Sequence, residues 1–265
     1  MPDPLRIACY CINLPASTDR RAALEKRAAA QGLAVRFVEG VEGTEADPAT
    51  FGVKISEGTW AYRGYRLPPG QFGILLSHRR ALDAFLADAS ASHAVILEDD
   101  AIPCDGLVER LHSLVRLVDG WDVIRIESRH RLNPWLTRAE LPTGEKVVVS
   151  WKGDTGATAN LYTREGARKV RATLDHLVLP YDVHLATARC WNLRVAEVQP
   201  PLVREDQVPS TNTRGPDPNR RHRRRTIFRL IGQSSWALYR RARALVTYLG
   251  LRIGKDPGHP PAAVG

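Results

Sequence analysis

Ala94-Val95-Ile96-Leu97-Glu98-Asp99-Asp100 is the stretch on which the reading of this chain turns. Its first four residues are apolar, with β-branched Val95 and Ile96 among them, the pattern of a buried strand. Its last three are carboxylates, adjacent like charges that repel one another. Three acids at the mouth of a buried strand call for a counter-charge. A divalent cation held by hard oxygen ligands is the simplest one, and Mg²⁺ or Mn²⁺ commonly arrives with a substrate phosphate. Taken alone, the run also admits a solvated acidic turn or the N-cap of a following helix.

Outward from this run, residues 5–14 (LRIACYCINL) read as a first buried strand, ended by Pro15. Ser17 or Thr18 can cap a helix through Gln31, with Asp19 in its first turn and Gly32 just beyond its end. Residues 35–38 read as a second strand. Strand, helix, strand is the opening of an α/β sheet. Phe72, Leu75, Leu76, Leu82, Phe85 and Leu86 follow helical spacing, and a further helix is expected over 107–118. Strands are expected at 121–126, 147–151, 157–162 and 192–198, and helices at 164–174 and near 182–188. Residues 40–69, 128–144 and 199–220 lack a period and read as loops. In an open α/β sheet ligands gather at the carboxyl ends of strands, which is where Glu98, Asp99 and Asp100 would lie.

The bulk numbers suit this picture. At 265 residues, 43% hydrophobic and 25% charged, the chain can form one large domain with an appendage. Cys9 and Cys11 alternate and would point to one face of a strand. With Cys104 and Cys190 they form no metal-type pair of CxxC motifs, so buried or free thiols are expected. The opening MPDPLRIACYCINLPA lacks a basic stretch followed by an apolar one, so no signal peptide is expected. No run of eighteen apolar residues occurs.

Two further segments carry chemistry. The loop Asn13-Leu14-Pro15-Ala16-Ser17-Thr18-Asp19-Arg20-Arg21 joins the end of the first strand to a helix N-terminus. Helix-end N–H groups with two arginines suit an anion or a nucleotide, though an ordinary cap with surface arginines has the same pattern. Ser77-His78-Arg79-Arg80 places a histidine on a helix, where a structural role is commoner than a catalytic one. No GxSxG occurs, so Ser77 is not expected to be a nucleophile.

In order and spacing these segments resemble glycosyltransferase family 25, the lipooligosaccharide galactosyltransferase family related to the collagen galactosyltransferases. The resemblance runs through CINLPASTDRR, GQFGILLSHRRAL, VILEDDA and GATANLYTREGARK, then Tyr181-Asp182 and Pro209-Ser210-Thr211, and covers residues 5–212. It implies a GT-A type, Rossmann-like α/β fold with a largely parallel twisted sheet. It also implies inverting transfer of a hexose, commonly galactose from UDP-galactose, with a divalent metal, Mn²⁺ or Mg²⁺. By the same resemblance Glu98, Asp99 and Asp100 bind the metal, and Asn13, Arg20, Arg21, Ser77 and His78 line the donor nucleotide. Asp182 is the first candidate for the catalytic base or an acceptor contact, and Asp154 the second. The chain departs from the family pattern at Gln71, where Glu is common, at Ile74-Leu75, which replace a Cys-containing pair, and at Asn160, where an aromatic is common. The sequence by itself leaves a retaining course open.

The basic charge is local. Residues 214–243 hold ten arginines and one acid, Asp217, a net +9 that equals the whole chain's, so the remainder sums to zero. Ile227, Ile231, Leu238, Ala242, Leu245 and Leu249 recur at helical spacing there. A basic amphipathic helix of this kind suits an anionic membrane surface. Packing on the catalytic domain and a disordered basic tail stay open. The expected organisation is a glycosyltransferase domain over 1–212, an arginine-rich helical segment over 213–255 and a disordered tail over 256–265. The expected location is the cytoplasm, with residues 214–252 as an attachment to the inner face of the cytoplasmic membrane. The expected partners are a UDP-sugar donor and a glycan or lipid-linked glycan acceptor. Nucleic acid is not expected, because aromatics are sparse in the basic segment and no reading motif occurs. The competing functions are a glycan- or nucleotide-binding homologue without catalysis and a basic nucleic-acid-binding protein.

Overall fold

The acid-tipped run is the third strand of a central sheet in the computed structural model. The structure describes residues 6–43, 69–117, 120–127, 135–150, 155–175, 179–187, 192–206, and the single positions Leu238, Ala242 and Leu245. In chain order the elements are β1 (Ile7–Asn13), α1 (Thr18–Ala30), β2 (Val35–Glu39), α2 (Pro69–Ala87), β3 (His93–Glu98), β4 (Ala101–Pro103) and α3 (Leu107–Leu117). They continue with β5 (Val123–Arg125), β6 (Trp135–Glu140), β7 (Lys146–Ser150), β8 (Ala159–Thr163), α4 (Arg164–Leu174), α5 (Tyr181–Ala186), β9 (Val195–Gln199) and β10 (Val203–Glu205).

Eight strands form one sheet in the order β2-β1-β3-β8-β5-β9-β7-β6, and β10 pairs with β4 beside it. β1 is parallel to β2 and β3, and β5 is parallel to β9. β8 lies antiparallel between β3 and β5, and β7 antiparallel between β9 and β6. Only β7 and β8 are reversed, so the other six strands share one direction. This is the largely parallel α/β sheet expected of a GT-A type fold.

Alternate residues of the central strands feed two cores. Tyr10, Ile12, Ala94, Ile96, Val123 and Tyr162 pack on one face with α2 and α4, through Phe72, Leu75, Leu82, Phe85, Ala167 and Val170. Cys9, Cys11, Val95, Leu97, Ile124 and Leu161 pack on the other with Leu24 of α1 and Leu107, Leu111 and Leu114 of α3. Covering both faces makes the central strands continuous apolar runs rather than alternating ones. Cys9 and Cys11 share a face, as their spacing predicts, and are free thiols. Burial pushes the Cys9 thiol up to about 12, so it has little thiolate character.

Local chemistry shows in α4, whose expected and observed limits coincide. Thr163 Oγ1 caps it by accepting from the Gly166 N–H at 2.9 Å. A Cβ at Gly166 would stand 1.8 Å from the Asp122 carbonyl oxygen, so only glycine lets the helix start so close to the entry of β5.

Three strands depart from the sequence reading. β6 falls in the expected irregular stretch 128–144. Its register shifts between Thr137 and Ala139, which breaks the two-residue period that would have marked it. β4 and β10 are three residues each, too short to show a period, and exist as strands only because they pair with each other. The arginine-rich segment and the expected boundaries at 212 and 255 lie outside the described residues. Leu238, Ala242 and Leu245 are the exceptions, all helical and exposed. Among the described residues no helix is long and apolar enough to cross a membrane.

Candidate active site

β1 ends on Asn13 and β3 on Glu98, side by side, with Ile12 in register opposite Glu98. A cleft of about 650 Å³, its open mouth included, lies over these strand ends. Ile12, Leu14 and Arg20 form one wall, and Val41, Glu42 and Gly43, following β2, form another. Gly70, Ile74, Ser77 and His78 come from α2, and Glu98, Asp99 and Asp100 complete the lining.

Each acid has its own surroundings. Asp99 is nearly buried, and both of its oxygens accept strong donors: Arg20 Nη1 on Oδ1 and Asn13 Nδ2 on Oδ2, each at 2.9 Å. Asn13 also donates to the Ser17 carbonyl at 3.0 Å. Ser17 occupies the N-cap position of α1, but its hydroxyl makes no capping bond. The Asn13 amide therefore ties the end of β1 to the start of the helix. Glu98 Oε1 lies 3.1 Å from His78 Nε2. Asp100 Oδ1 is buried and has no hydrogen-bond partner. Burial first, and then the charges of Glu98, Glu205 and Asp99, push the Asp100 carboxyl up to about 7, against the pull of Arg20.

The α2 segment is held by backbone contacts. Ser77 Oγ accepts from the Val41 N–H at 2.8 Å and donates to the Gly73 carbonyl at 2.7 Å. A Cβ at Gly73 would stand 2.5 Å from the Val41 carbonyl oxygen, so the chain after β2 rests directly on the helix. Ser77 thus shapes the wall with a hydroxyl already engaged on both sides. The His78 ring is fully buried and lies flat on Tyr181, with centroids 3.9 Å apart and planes 11° from parallel.

The structure brings Arg20, Ser77, His78, Glu98, Asp99 and Asp100 to one cleft, and Asn13 stands behind its lining, bonded to Asp99. It does not bring Arg21 there: its Nε donates to Glu25 at 3.1 Å and its guanidinium covers the Phe37 ring at 4.2 Å. Asp182 stands half-buried in the first turn of α5 and does not line the cleft, while its neighbour Tyr181 is buried. Asp154 lies outside the described residues. Sequence reasoning missed Glu42 and Glu205. The pairing of β10 with β4 sets Glu205 opposite Ala101, and the Asp206 N–H donates to the Asp100 carbonyl at 2.8 Å. No local signal marks Glu205, because only this long-range pairing makes it a neighbour of Asp100.

The profile of glycosyltransferase family 25, whose description is LPS biosynthesis protein, matches residues 6–185, from β1 to α5. The chain belongs to glycosyltransferase family 25. This family 25 glycosyltransferase also has distant likenesses among solved structures. A197 from STIV is 12% identical, with 75% of this chain and 83% of that one covered and a TM-score of 0.42. A glycosyltransferase involved in glycosylation of the major capsid of PBCV-1 is 11% identical, with 77% and 94% covered and a TM-score of 0.38. The mannosyltransferase PcManGT from Pyrobaculum calidifontis, solved with GDP-Man and Mn²⁺, is 15% identical, with 97% and 79% covered and a TM-score of 0.37. Likenesses this low give no residue-level correspondence. No curated protein matches the sequence.

The family 25 glycosyltransferase does not arrange Glu98, Asp99 and Asp100 as a ready three-ligand cage. Among the described residues no three His, Cys, Asp or Glu side chains form a group that could hold a metal ion. The reason is that Asp99 serves Arg20 and Asn13, and Glu98 faces His78. The residues do fit a hard cation bound by one or two carboxylates together with substrate phosphate oxygens. Asp100 presents a buried oxygen without a donor, in a corner whose acids repel one another.

Proposed function

We propose that this glycosyltransferase moves a hexose, with galactose the first candidate, from a UDP-sugar to a glycan acceptor. The setting is lipopolysaccharide, lipooligosaccharide or other cell-surface glycan assembly, and the course is a metal-assisted, inverting displacement. The observation that carries this reading is the Asp100 carboxylate, buried on one oxygen without a hydrogen-bond donor, in a cleft shared with Arg20. It lies inside the span matched by the family profile.

Mn²⁺ or Mg²⁺ held by Asp100, with Glu98 or Glu205 nearby, would take up charge on the diphosphate as it leaves. Arg20 supplies a fixed positive charge to the same diphosphate. Asp99 keeps the Arg20 guanidinium in place, so the arginine needs no reorganisation at the moment of transfer. Ile12, Leu14, Val41 and Ile74 give the cleft an apolar wall that suits the flat base of a nucleotide. A carboxylate then takes the acceptor hydroxyl proton, a role worth about 10²–10⁴-fold in rate. Asp182 is the first candidate for that role and Asp154 the second.

The arginine-rich segment keeps the enzyme beside a lipid-anchored acceptor on the inner face of the cytoplasmic membrane. Leu238, Ala242 and Leu245 support this, since all three are helical, exposed and spaced to share one helix face. Each arginine near an anionic surface contributes on the order of 1 kcal/mol.

Titration of UDP with and without Mn²⁺ tests the core of the proposal. The metal is expected to tighten UDP binding at least about tenfold in the wild type and not in Asp100→Ala. Equal affinities with and without metal, or an Asp100→Ala protein that still responds to it, would end the metal-assisted reading. Slow hydrolysis across a panel of nucleotide sugars names the donor, and a preference for GDP- or CMP-sugars would exclude the UDP assignment.

A further inference from the structure

We propose that His78 and Tyr181 are positioning residues that hold the Glu98 carboxylate through a buried stack, rather than contacts to the nucleotide. The proposal rests on the glycosyltransferase reading above. His78 is 0% exposed and Tyr181 1%, so although His78 borders the cleft, neither ring leaves more than a trace of surface for a ligand. The His78 edge reaches Glu98 instead, with Nε2 3.1 Å from Oε1. Its other nitrogen, Nδ1, is buried without a hydrogen-bond partner. A buried N–H without an acceptor is rarer than a bare acceptor, so the ring carries its proton on Nε2 and donates it to Glu98.

The stack is anchored at both ends on adjacent strands. Glu98 ends β3. The His78 ring is clamped flat against Tyr181, and the Tyr181 hydroxyl lies 2.7 Å from that of Tyr162. Tyr162 belongs to β8, where it pairs in register with Ala94 of β3. The path from Glu98 through His78, Tyr181 and Tyr162 therefore ends on the strand paired with the one it left. A ring fixed by stacking, with its donor aimed by one tautomer, leaves Glu98 a single direction at the floor of the cleft. The buried residue of the Tyr181-Asp182 pair is thus the one that reaches the site, through its ring.

Kinetics of nucleotide-sugar turnover in His78→Ala, His78→Gln, Tyr181→Leu and Tyr181→Phe test this. A displaced Glu98 is expected to lower kcat about 10–100-fold in His78→Ala and Tyr181→Leu, with donor KM changed less than about threefold. His78→Gln, whose amide can still donate to Glu98, and Tyr181→Phe, which keeps the stacking ring, should each recover at least about tenfold of that loss. A rise in donor KM or UDP Kd with kcat intact would overturn the proposal, because it marks direct substrate contact. So would a glutamine variant no better than alanine. Long-range ¹H–¹⁵N correlation on the wild type gives a readout that needs neither turnover nor an unstable variant. The proton is expected on Nε2 of His78, with a signal that moves in Glu98→Gln; a proton on Nδ1 overturns the pairing. A wild type that turns over no nucleotide sugar would overturn the functional reading and leave the tautomer measurement to judge the stack.

Discussion

Asp100 is the residue at which local charge and global stability meet. Its ordinary value of 3.8 is raised to about 7 by burial and by the acids around it. A carboxyl that binds its proton more tightly when folded adds stability that is complete below about pH 4 and is lost as pH rises through about 7. Asp100→Asn removes that loss. In the presence of EDTA its thermal unfolding midpoint should exceed the wild type's by roughly 2–6 °C at pH 8, and the two proteins should melt together at pH 4. A variant that melts lower at pH 8 would contradict the account of repelling acids. His184 has the opposite sign: burial lowers it to about 3, so its contribution is complete above the ordinary 6.5 and is lost as pH falls toward 3. The acids of the site were readable from sequence because they adjoin one another. Their separate roles were not, because the donors that divide them come from the end of β1, from α1 and from α2.

At the scale of elements, α4 was readable to the residue and β6 was not, for reasons that lie in the chain. Thr163 and Gly166 give α4 a cap and a close start, whereas the bulge in β6 erases its alternation. The close start carries a prediction. Gly166→Ala would drive a Cβ into the Asp122 carbonyl and force the helix off β5, costing about 2–3 kcal/mol in urea unfolding. UDP affinity of the folded variant should be unchanged, since Gly166 does not line the cleft. An alanine variant as stable as the wild type would show that the helix shifts freely. Asp122 strengthens the same junction. It is fully buried and accepts from Lys169 at 2.9 Å and from the Arg194 N–H at 2.8 Å. Burial alone would raise its carboxyl, but these donors outweigh it and hold the group below its usual range.

The whole molecule joins a sheet-based catalytic unit to a segment that holds all of its net charge. Deleting residues 214–265 should abolish sedimentation with anionic vesicles and leave UDP affinity intact. Vesicle binding that survives the deletion would place the membrane contact elsewhere. The amino-acid order by itself determined the α/β class, the strand that delivers the acids and the helix that follows the first loop. Those features rest on periods, caps and prolines within a few residues of one another. Only the tertiary structure decided which partner each acid received: Arg20 and Asn13 for Asp99, His78 for Glu98, and the nearby charge of Glu205 for Asp100. Parallel strand order and the β4–β10 pairing bring those groups together across long stretches of chain, and no local pattern encodes a distance that only folding creates.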